Sequence, residues 1–519
     1  MKLEKFKNHA LLSLLIVTTS ASVQALELAG SSFYAARSQS VNAARGLVGF
    51  CQFLTRANCG FEGMILPTPA YQRSFTSPRV AEYFFNTNEI RITGSRVPNR
   101  ACNDLLADYF GLSPSFESKV VMNPRIESAL VDFDMYLSYN PWYIRIHAPA
   151  CWSRWHYQLE ECIADDGSTT QFPEQYMAQT AVREPVTSFT QAICGHQQWG
   201  DIQTGLINSI ICGPRSITGL ADLRMFFGWH ILRNERYYLG MNIIGAAPTG
   251  SHINGTFFFE PIVGNGRHWE IGVGLDGRVL AWEAENTHTL SLYGTIHATH
   301  LCRATQRRSF DFCANGFASR YLLLKQFDEN GQYDGTVIPA STITTLPCHV
   351  WSGGQFDIVA MLGYLACGLE IDFGYNAWIR TREHVTICGT IPENRYGIKG
   401  IQNVVDLFGN PSNVTQSNAT IHGNELTPER QAENADPRSP VFIRTDDLDP
   451  HSAAATSAFT NKLFAHVAYT WAPCKHVEPY LGFGGEVEFE GIAPERNRQA
   501  NHNTVAQWGI WLKGGALFT

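Results

Sequence analysis

Between Ala129 and Trp152 the chain alternates with a strictness that leaves few folds open. Ala129, Val131, Phe133, Met135, Leu137 and Tyr139 occupy every second position; Trp142, Ile144, Ile146, Ala148, Ala150 and Trp152 do the same after Asn140-Pro141. Strand side chains point to opposite faces in turn, so each run is a ribbon with one greasy face. The positions between hold Asp132, Asp134 and Tyr136 on one run, Arg145 and His147 on the other. Closing the hairpin with 139 opposite 142 sets Tyr136 across from Arg145 and Asp134 across from His147. Cross-strand pairs of this kind set register. Pro149 is the one blemish, because proline cannot donate to a ladder.

The pattern recurs. Leu223, Met225, Phe227, Trp229 and Ile231 form a stripe opposed by Asp222, Arg224, Gly228 and His230; after a polar turn at 233–236, Tyr237 to Ile243 continues it. Phe356 to Ala366 runs into a Cys367-Gly368 turn and returns as Leu369 to Ile379, with Glu370, Asp372, Asn376, Arg380 and Arg382 on the polar side. Leu463 to Trp471 and Leu481 to Phe489 form a fourth hairpin that directs Glu486, Glu488 and Glu490 inward. Weaker strands are expected at Thr256 to Val263, Trp269 to Leu275, Val279 to Glu283, Thr289 to His300 and Val80 to Ile92, with a tight turn at Asp276-Gly277. The last strand alternates Trp508, Ile510, Leu512, Gly514, Ala516 and Phe518 against Gln507, Gly509, Trp511, Lys513 and Gly515.

The N-terminus reads as an export signal. Lys2, Lys5 and Lys7 precede an apolar core at 10–17, and Val23-Gln24-Ala25 fits small-x-small cleavage, so residues 1–25 are expected to be removed. No later run of 18 apolar residues exists, so a membrane-spanning helix is excluded. An exported chain of this kind is either a soluble β-protein or a barrel. Charged residues are only 17% and the mean hydropathy is −0.14. Barrels combine an apolar band with a polar lumen and polar loops, which gives this balance. The net charge of −8, without a basic run, argues against a nucleic-acid partner. Thirteen cysteines in an exported chain imply disulfides, and the odd count leaves at least one unpaired or joined to another chain. Neighbours in sequence are Cys51 with Cys59, Cys151 with Cys162, Cys194 with Cys212, and Cys302 with Cys313. Without CxxC spacing, no metal site is expected.

Counting strands back from the C-terminus sorts the connections by length. Short turns at 140–141, 232–236, 367–368 and 472–478 fall on one side. Long segments near 97–127, 158–218, 302–354, 383–459 and 491–503 fall on the other. Only Asp276-Gly277 breaks the rule. A soluble sandwich has no reason to sort its loops this way. The expectation is an all-β, antiparallel transmembrane barrel of about 14 strands (range 12–18) over 80–519. Residues 26–79 precede it as a periplasmic arm or a lumen plug, with a helix possible over 38–54.

The signal, the amphipathic hairpins and the aromatic-terminated last strand together resemble Gram-negative outer-membrane β-barrel proteins of the porin-like kind. That resemblance implies outer-membrane localisation, lipid and the barrel-assembly machinery as partners, both barrel ends in the periplasm, and Trp508, Ile510, Leu512 and Phe518 as an assembly signal. Here Thr519 follows the aromatic residue, a departure from the family's pattern. The cysteines give a weaker likeness to the major outer-membrane proteins of chlamydia-like bacteria, and a 14-stranded plugged barrel to fatty-acid and hydrocarbon channels.

Catalytic motifs are absent: there is no G-x-S-x-G, no H-E-x-x-H and no P-loop, so no enzyme activity and no cofactor are expected. Asp328, Asn330 and Asp334 sit in a glycine-containing loop that lacks the terminal bidentate glutamate of a calcium site and reads as a polar turn. The leading expectation is passive diffusion of small solutes past inward charges at Asp132, Asp134, Arg145, His147, Asp222, Arg224, Glu370, Asp372, Arg380, Arg382, Glu486 and Glu488. A plugged transporter of hydrophobic solutes, a non-transporting surface adhesin and a soluble periplasmic β-protein are the alternatives. A homo-oligomer is compatible with each.

Overall fold

The computed structural model describes all residues except 1–30, 57–59, 76–78, 86, 95, 99–103, 169–185, 196–201, 203, 285–287, 332, 400–441, 472–475, 492–503 and 519. The expected signal segment, Cys59, Thr519 and parts of the long loops therefore lie outside the described residues. Twelve antiparallel strands close into a barrel: β1 (Phe61–Ser74), β2 (Arg125–Tyr139), β3 (Trp142–His156), β4 (Leu223–Arg233), β5 (Tyr237–Ala247), β6 (Glu270–Ala284), β7 (His288–Ser309), β8 (Thr345–Ala366), β9 (Leu369–Arg380), β10 (Ala458–Thr470), β11 (Val477–Glu490) and β12 (Gln507–Phe518). Each pairs with its neighbours in sequence, and β12 returns to β1, so no edge is left open. Two further strands of the same sheet lie outside the closure: Arg215–Leu220 against β3, and Glu383–Ile387 against β8. The sheet thus has 14 strands, of which 12 form the barrel.

The register follows the side-chain pattern. Tyr136 pairs with Arg145 and Asp134 with His147. Phe133, Ile144, Phe227, Ile243, Val273, Leu292, Phe373, Phe483 and Leu512 point outward and form an apolar band around the barrel. At the short-turn end it is edged by aromatic rings, with Trp142 stacked on Phe227 and beside Trp229. The eleven-residue β4 and β5 run about 36 Å at ~3.3 Å per residue, or about 28 Å along the axis at a ~40° tilt, which matches a bilayer band. Glycines in the wall make room for inward rings. A Cβ on Gly228 would lie 2.0 Å from Tyr143, and one on Gly484 would lie 2.5 Å from Trp511.

Four strand expectations change. The barrel begins at Phe61, inside the segment expected as an arm or plug, and not at residue 80. Residues 80–92 fold instead as a helix (Arg79–Phe85) and a short strand (Glu89–Thr93) outside the barrel, because their apolar side chains are buried in a separate core. Asp276-Gly277 is no turn: β6 runs straight through it, since Asp276 faces inward and accepts hydrogen bonds from Tyr143, Asn242 and Thr295. Thr256 to Val263 is loop. With that turn removed, the length sorting has no exception. The chain turns back within a few residues after β2, β4, β6, β8 and β10, whereas the other connections are long.

The described parts of those long connections fold together as a dome over one end. Three small sheets and several short helices enclose an apolar core that includes Phe84, Phe110, Trp155, Phe258, Phe259 and Tyr321. A Cys194–Cys212 disulfide ties part of it. Cys151, Cys162, Cys302 and Cys313 are not disulfide-bonded. Asp328 and Asp334 close exposed turns on the backbone N–H groups of Asn330 and Thr336.

Candidate functional site: a lumen closed by the N-terminal segment

Residues 31–56 run the length of the barrel interior. At the dome, the Ser32 N–H donates to Ser452 O at 2.7 Å, and Ser32 Oγ donates to Ser309 O at the far end of β7. Phe33 and Tyr34 enter the dome core: Arg308 lies over the Phe33 ring at 3.5 Å, and Tyr34 meets Tyr83 and Trp155 edge-on. At the opposite end Arg56 pairs with Glu478 at 2.6 Å, and Arg233 donates to Arg56 O and pairs with Glu62. The segment therefore enters the lumen from the dome, and β1 begins where it emerges at the short-turn end.

Ionic contacts dominate the upper path. Arg37 donates to Asp357 Oδ2 at 2.9 Å and to Glu488 Oε1 at 3.0 Å. Ser38 donates to Asp222 Oδ2 at 2.9 Å, and Asn42 Nδ2 to Glu486 Oε2 at 3.2 Å. Asn42 also caps α1 (Ala43–Phe50) by accepting from the Arg45 N–H, while Asp357 Oδ2 accepts from the Ala43 N–H. Carboxylates near a helix N-terminus satisfy donors that have no partner inside the helix. The helix kinks at Val48 and Gly49, where Gly49 has a φ of +78° and a Cβ would press on Leu66, Lys513 and Tyr480. Its freed carbonyls are met by the wall: Lys513 Nζ donates to Arg45 O and Val48 O at 2.8 Å each, and Arg145 donates to Gly46 O.

Below the kink, and above the Arg56–Glu478 pair, the contacts are rings and one pair of acids. Phe50 and Phe53 pack on Tyr136 with centroids 5.1 and 5.0 Å away, and Arg145 covers Phe50 at 4.3 Å. The Cys51 thiol donates to Glu370 Oε1 at 2.8 Å, and Gln52 Nε2 to Glu370 Oε2 at 2.7 Å. Two of the hollows beside the segment lie within the barrel, and smaller ones flank residues 32–38 at the dome end. Of the two within the barrel, one is lined by Arg37, Gln72, Trp378, Lys462, Glu488 and Gln507 among others; the second by Asp132, His147, Arg224, Asp276, His297 and Asp357. Each has room for only a few water molecules.

Eleven of the twelve charges expected to face inward are buried within the barrel or at its dome-end rim. Asp134 pairs with Arg145 at 2.7 Å, with His147 between Asp132 and Asp134 at 3.5 Å from each. Arg224 pairs with Glu270 at 2.6 Å, Lys462 with Glu486 at 3.1 Å, and His466 meets Asp372 at 3.3 Å. Arg380 donates to Ala35 O. Asp222 sits just before β4, and Arg382 lies past the end of β9, half-buried and outside the strand. Of the terminal set, Ile510 and Leu512 face outward, and Phe518 lies against Phe61. Sequence reasoning missed Arg37, Asn42, Cys51 and Gln52, which sit in a segment without periodicity. Asp357 and Lys513 were findable, since both occupy polar stripes of expected strands.

Together, the closed sheet, the outward apolar band and the sorting of turns to one end define an outer-membrane-type β-barrel protein. No protein-family model and no curated relative matches the chain. Solved structures that align with it include outer-membrane proteins. An outer-membrane channel from Pseudomonas putida F1 is 10% identical, with 88% of this chain and 96% of that one covered and a TM-score of 0.31. The β domain of the Bordetella autotransporter BrkA is 9% identical, with 88% and 99% covered and a TM-score of 0.28. A Pseudomonas aeruginosa FadL homologue is 7% identical, with 88% and 90% covered and a TM-score of 0.25. Likeness at this level says nothing about activity; the barrel assignment stands on the strand pairing.

Proposed function

We propose that the protein is an outer-membrane channel held shut by its own residues 31–56, and that it passes small polar solutes when this segment shifts. One observation carries the reading: the segment occupies the lumen from dome to short-turn end through buried, directional contacts, and the two hollows beside it within the barrel each admit only a few waters. The lining favours polar over hydrophobic solutes. An apolar molecule passing Arg37, Asp357, Lys462, Glu486 and Glu488 would strip water from charges and return nothing for it. Both signs are present, so selectivity by charge is modest.

The test is solute uptake into proteoliposomes carrying the mature chain or the variant Arg37→Ala/Asn42→Ala, each checked for folding by heat-modifiable gel migration. The wild type should pass little small sugar, and the variant at least tenfold more. Free passage through the wild type contradicts the closed state. A folded variant that passes no more than the wild type contradicts the channel, and leaves the surface-binding reading of the dome.

A further inference from the structure

The floor of the lumen contains charges that the rest of the lumen's chemistry does not account for. Higher up, acids face cations: Asp357 and Glu488 meet Arg37, Asp134 meets Arg145, and Glu486 meets Lys462. Glu370 and Asp372 lie two apart on β9 and so share its inward face. Both are buried, and among the described residues no lysine or arginine forms an ion pair with either. Burying two neighbouring carboxylates without a countercharge is costly.

We infer that a divalent transition-metal ion, with Zn²⁺ as the best match, binds between Cys51 of the N-terminal segment and Glu370 and Asp372 of the wall. The ligating atoms of these three buried residues all lie within 4.8 Å of one another. A second observation points to the same place. The Tyr480 hydroxyl and Asp372 Oδ1 are both buried beside Glu370 and the Cys51 thiol, and neither makes a hydrogen bond of good geometry among the described residues. A thiolate with two carboxylates suits a borderline ion and disfavours Ca²⁺ or Mg²⁺, which take oxygen ligands. The outer contacts are in place as well. Gln52 Nε2 holds Glu370 Oε2, and His466 Nδ1 lies 3.3 Å from Asp372 Oδ2, which orients the carboxylates or supplies a fourth ligand. On binding, the Cys51 thiol loses its proton to solvent and the S–H···O bond to Glu370 gives way to two metal–ligand bonds. The ion then ties the segment to the wall below its kink. This inference rests on where residues 31–56 lie and not on solute passage, so it stands or falls separately from the channel reading.

The experiment measures metal retained by the folded, detergent-purified chain after loading with Zn²⁺ and exhaustive dialysis, and the thiolate-to-metal charge-transfer absorption after loading with Co²⁺. The wild type should keep one ion per chain and show the band. Cys51→Ser should lose the band, Glu370→Gln/Asp372→Asn should weaken retention at least a hundredfold, and Cys151→Ser, a buried cysteine elsewhere in the wall, should change neither. No ion retained by the wild type overturns the site. So does full retention in Cys51→Ser or in the neutralised acid pair; if Cys51→Ser does not fold, the acid pair decides alone.

Discussion

Above Gly46 the N-terminal segment meets the barrel wall mainly through charged and polar groups; below it, rings join them. Arg37, Ser38 and Asn42 reach four different wall carboxylates, whereas Phe50 and Phe53 press on a single tyrosine, Tyr136. The two halves fail differently. A buried ion pair is roughly neutral to form but expensive to break from one side, because the abandoned charge stays buried. A ring contact costs what the lost burial and the resulting cavity cost, and no more. The upper half therefore sets specificity of position, and the lower half supplies adhesion. The segment can shift only if the two Arg37 ion pairs and the Ser38 and Asn42 hydrogen bonds let go together.

The largest effect expected from breaking this comparison is at Arg37. Arg37→Ala leaves Asp357 and Glu488 facing each other and should cost about 3–5 kcal/mol. The loss should show as faster proteolysis and faster amide exchange over residues 31–50. Adding Asp357→Asn and Glu488→Gln to it should recover most of the loss; if it recovers none, the pairing account of the upper half is wrong. Phe50→Ala comes next, at about 3 kcal/mol, seen as a lower midpoint for loss of the heat-modifiable band, and neutralising wall charges should not rescue it. The dome offers a contrast with both. Its Lys119–Glu89 pair is roughly half exposed on each side, so Lys119→Ala should change stability by ~0–1 kcal/mol.

A smaller effect still belongs to Glu161 in the dome. Burial would raise its carboxyl, but N–H donors of Thr190 and Phe189 and the Ser188 hydroxyl outweigh that and hold it below the ordinary value of 4.5. A carboxyl depressed in the folded state contributes stability above its unfolded pKa and loses it as the pH falls through the folded one. Amide protection over 188–193 should thus be complete at neutral pH and decline below pH 4.5, while protection in the barrel strands persists. Equal loss in Glu161→Gln at neutral and acid pH would support the assignment; unchanged acid sensitivity in that variant would sink it.

The sequence made some regions legible and hid others for physical reasons. The hairpin at 129–152 was readable to the residue, because lipid on one side and ions on the other force a period of two. β1 was not. Its inward side carries Met64, Leu66 and Ala70, so both faces look apolar, and Pro67 and Pro69 read as breakers. The two prolines share one parity, and their missing donors face one neighbour. The β1–β2 ladder is continuous, while the β1–β12 ladder skips 66–69. Asp276-Gly277 misled because the same dipeptide suits a tight turn and an inward acid beside a small residue. Arg79–Phe85 read as a strand because a short apolar run does not distinguish a buried helix from a strand. The lumen charges were visible as polar stripes, yet their partners in 31–56 were not: a plug held by single hydrogen bonds leaves no periodicity. Cys51 with Glu370 and Asp372 lay further out of reach, since more than 300 residues separate them and only closure of the barrel brings them together.

Planar-bilayer recording of the refolded chain without residues 1–25 asks whether residues 31–56 shut the lumen. A quiet baseline with rare, brief openings is expected from protein that is heat-modifiable and therefore folded. Frequent openings should appear only when Arg37 and Asn42 are removed. Long-lived, uniform current steps from the unaltered chain would contradict it, for a lumen filled from Ser31 to Arg56 cannot conduct like an open pore.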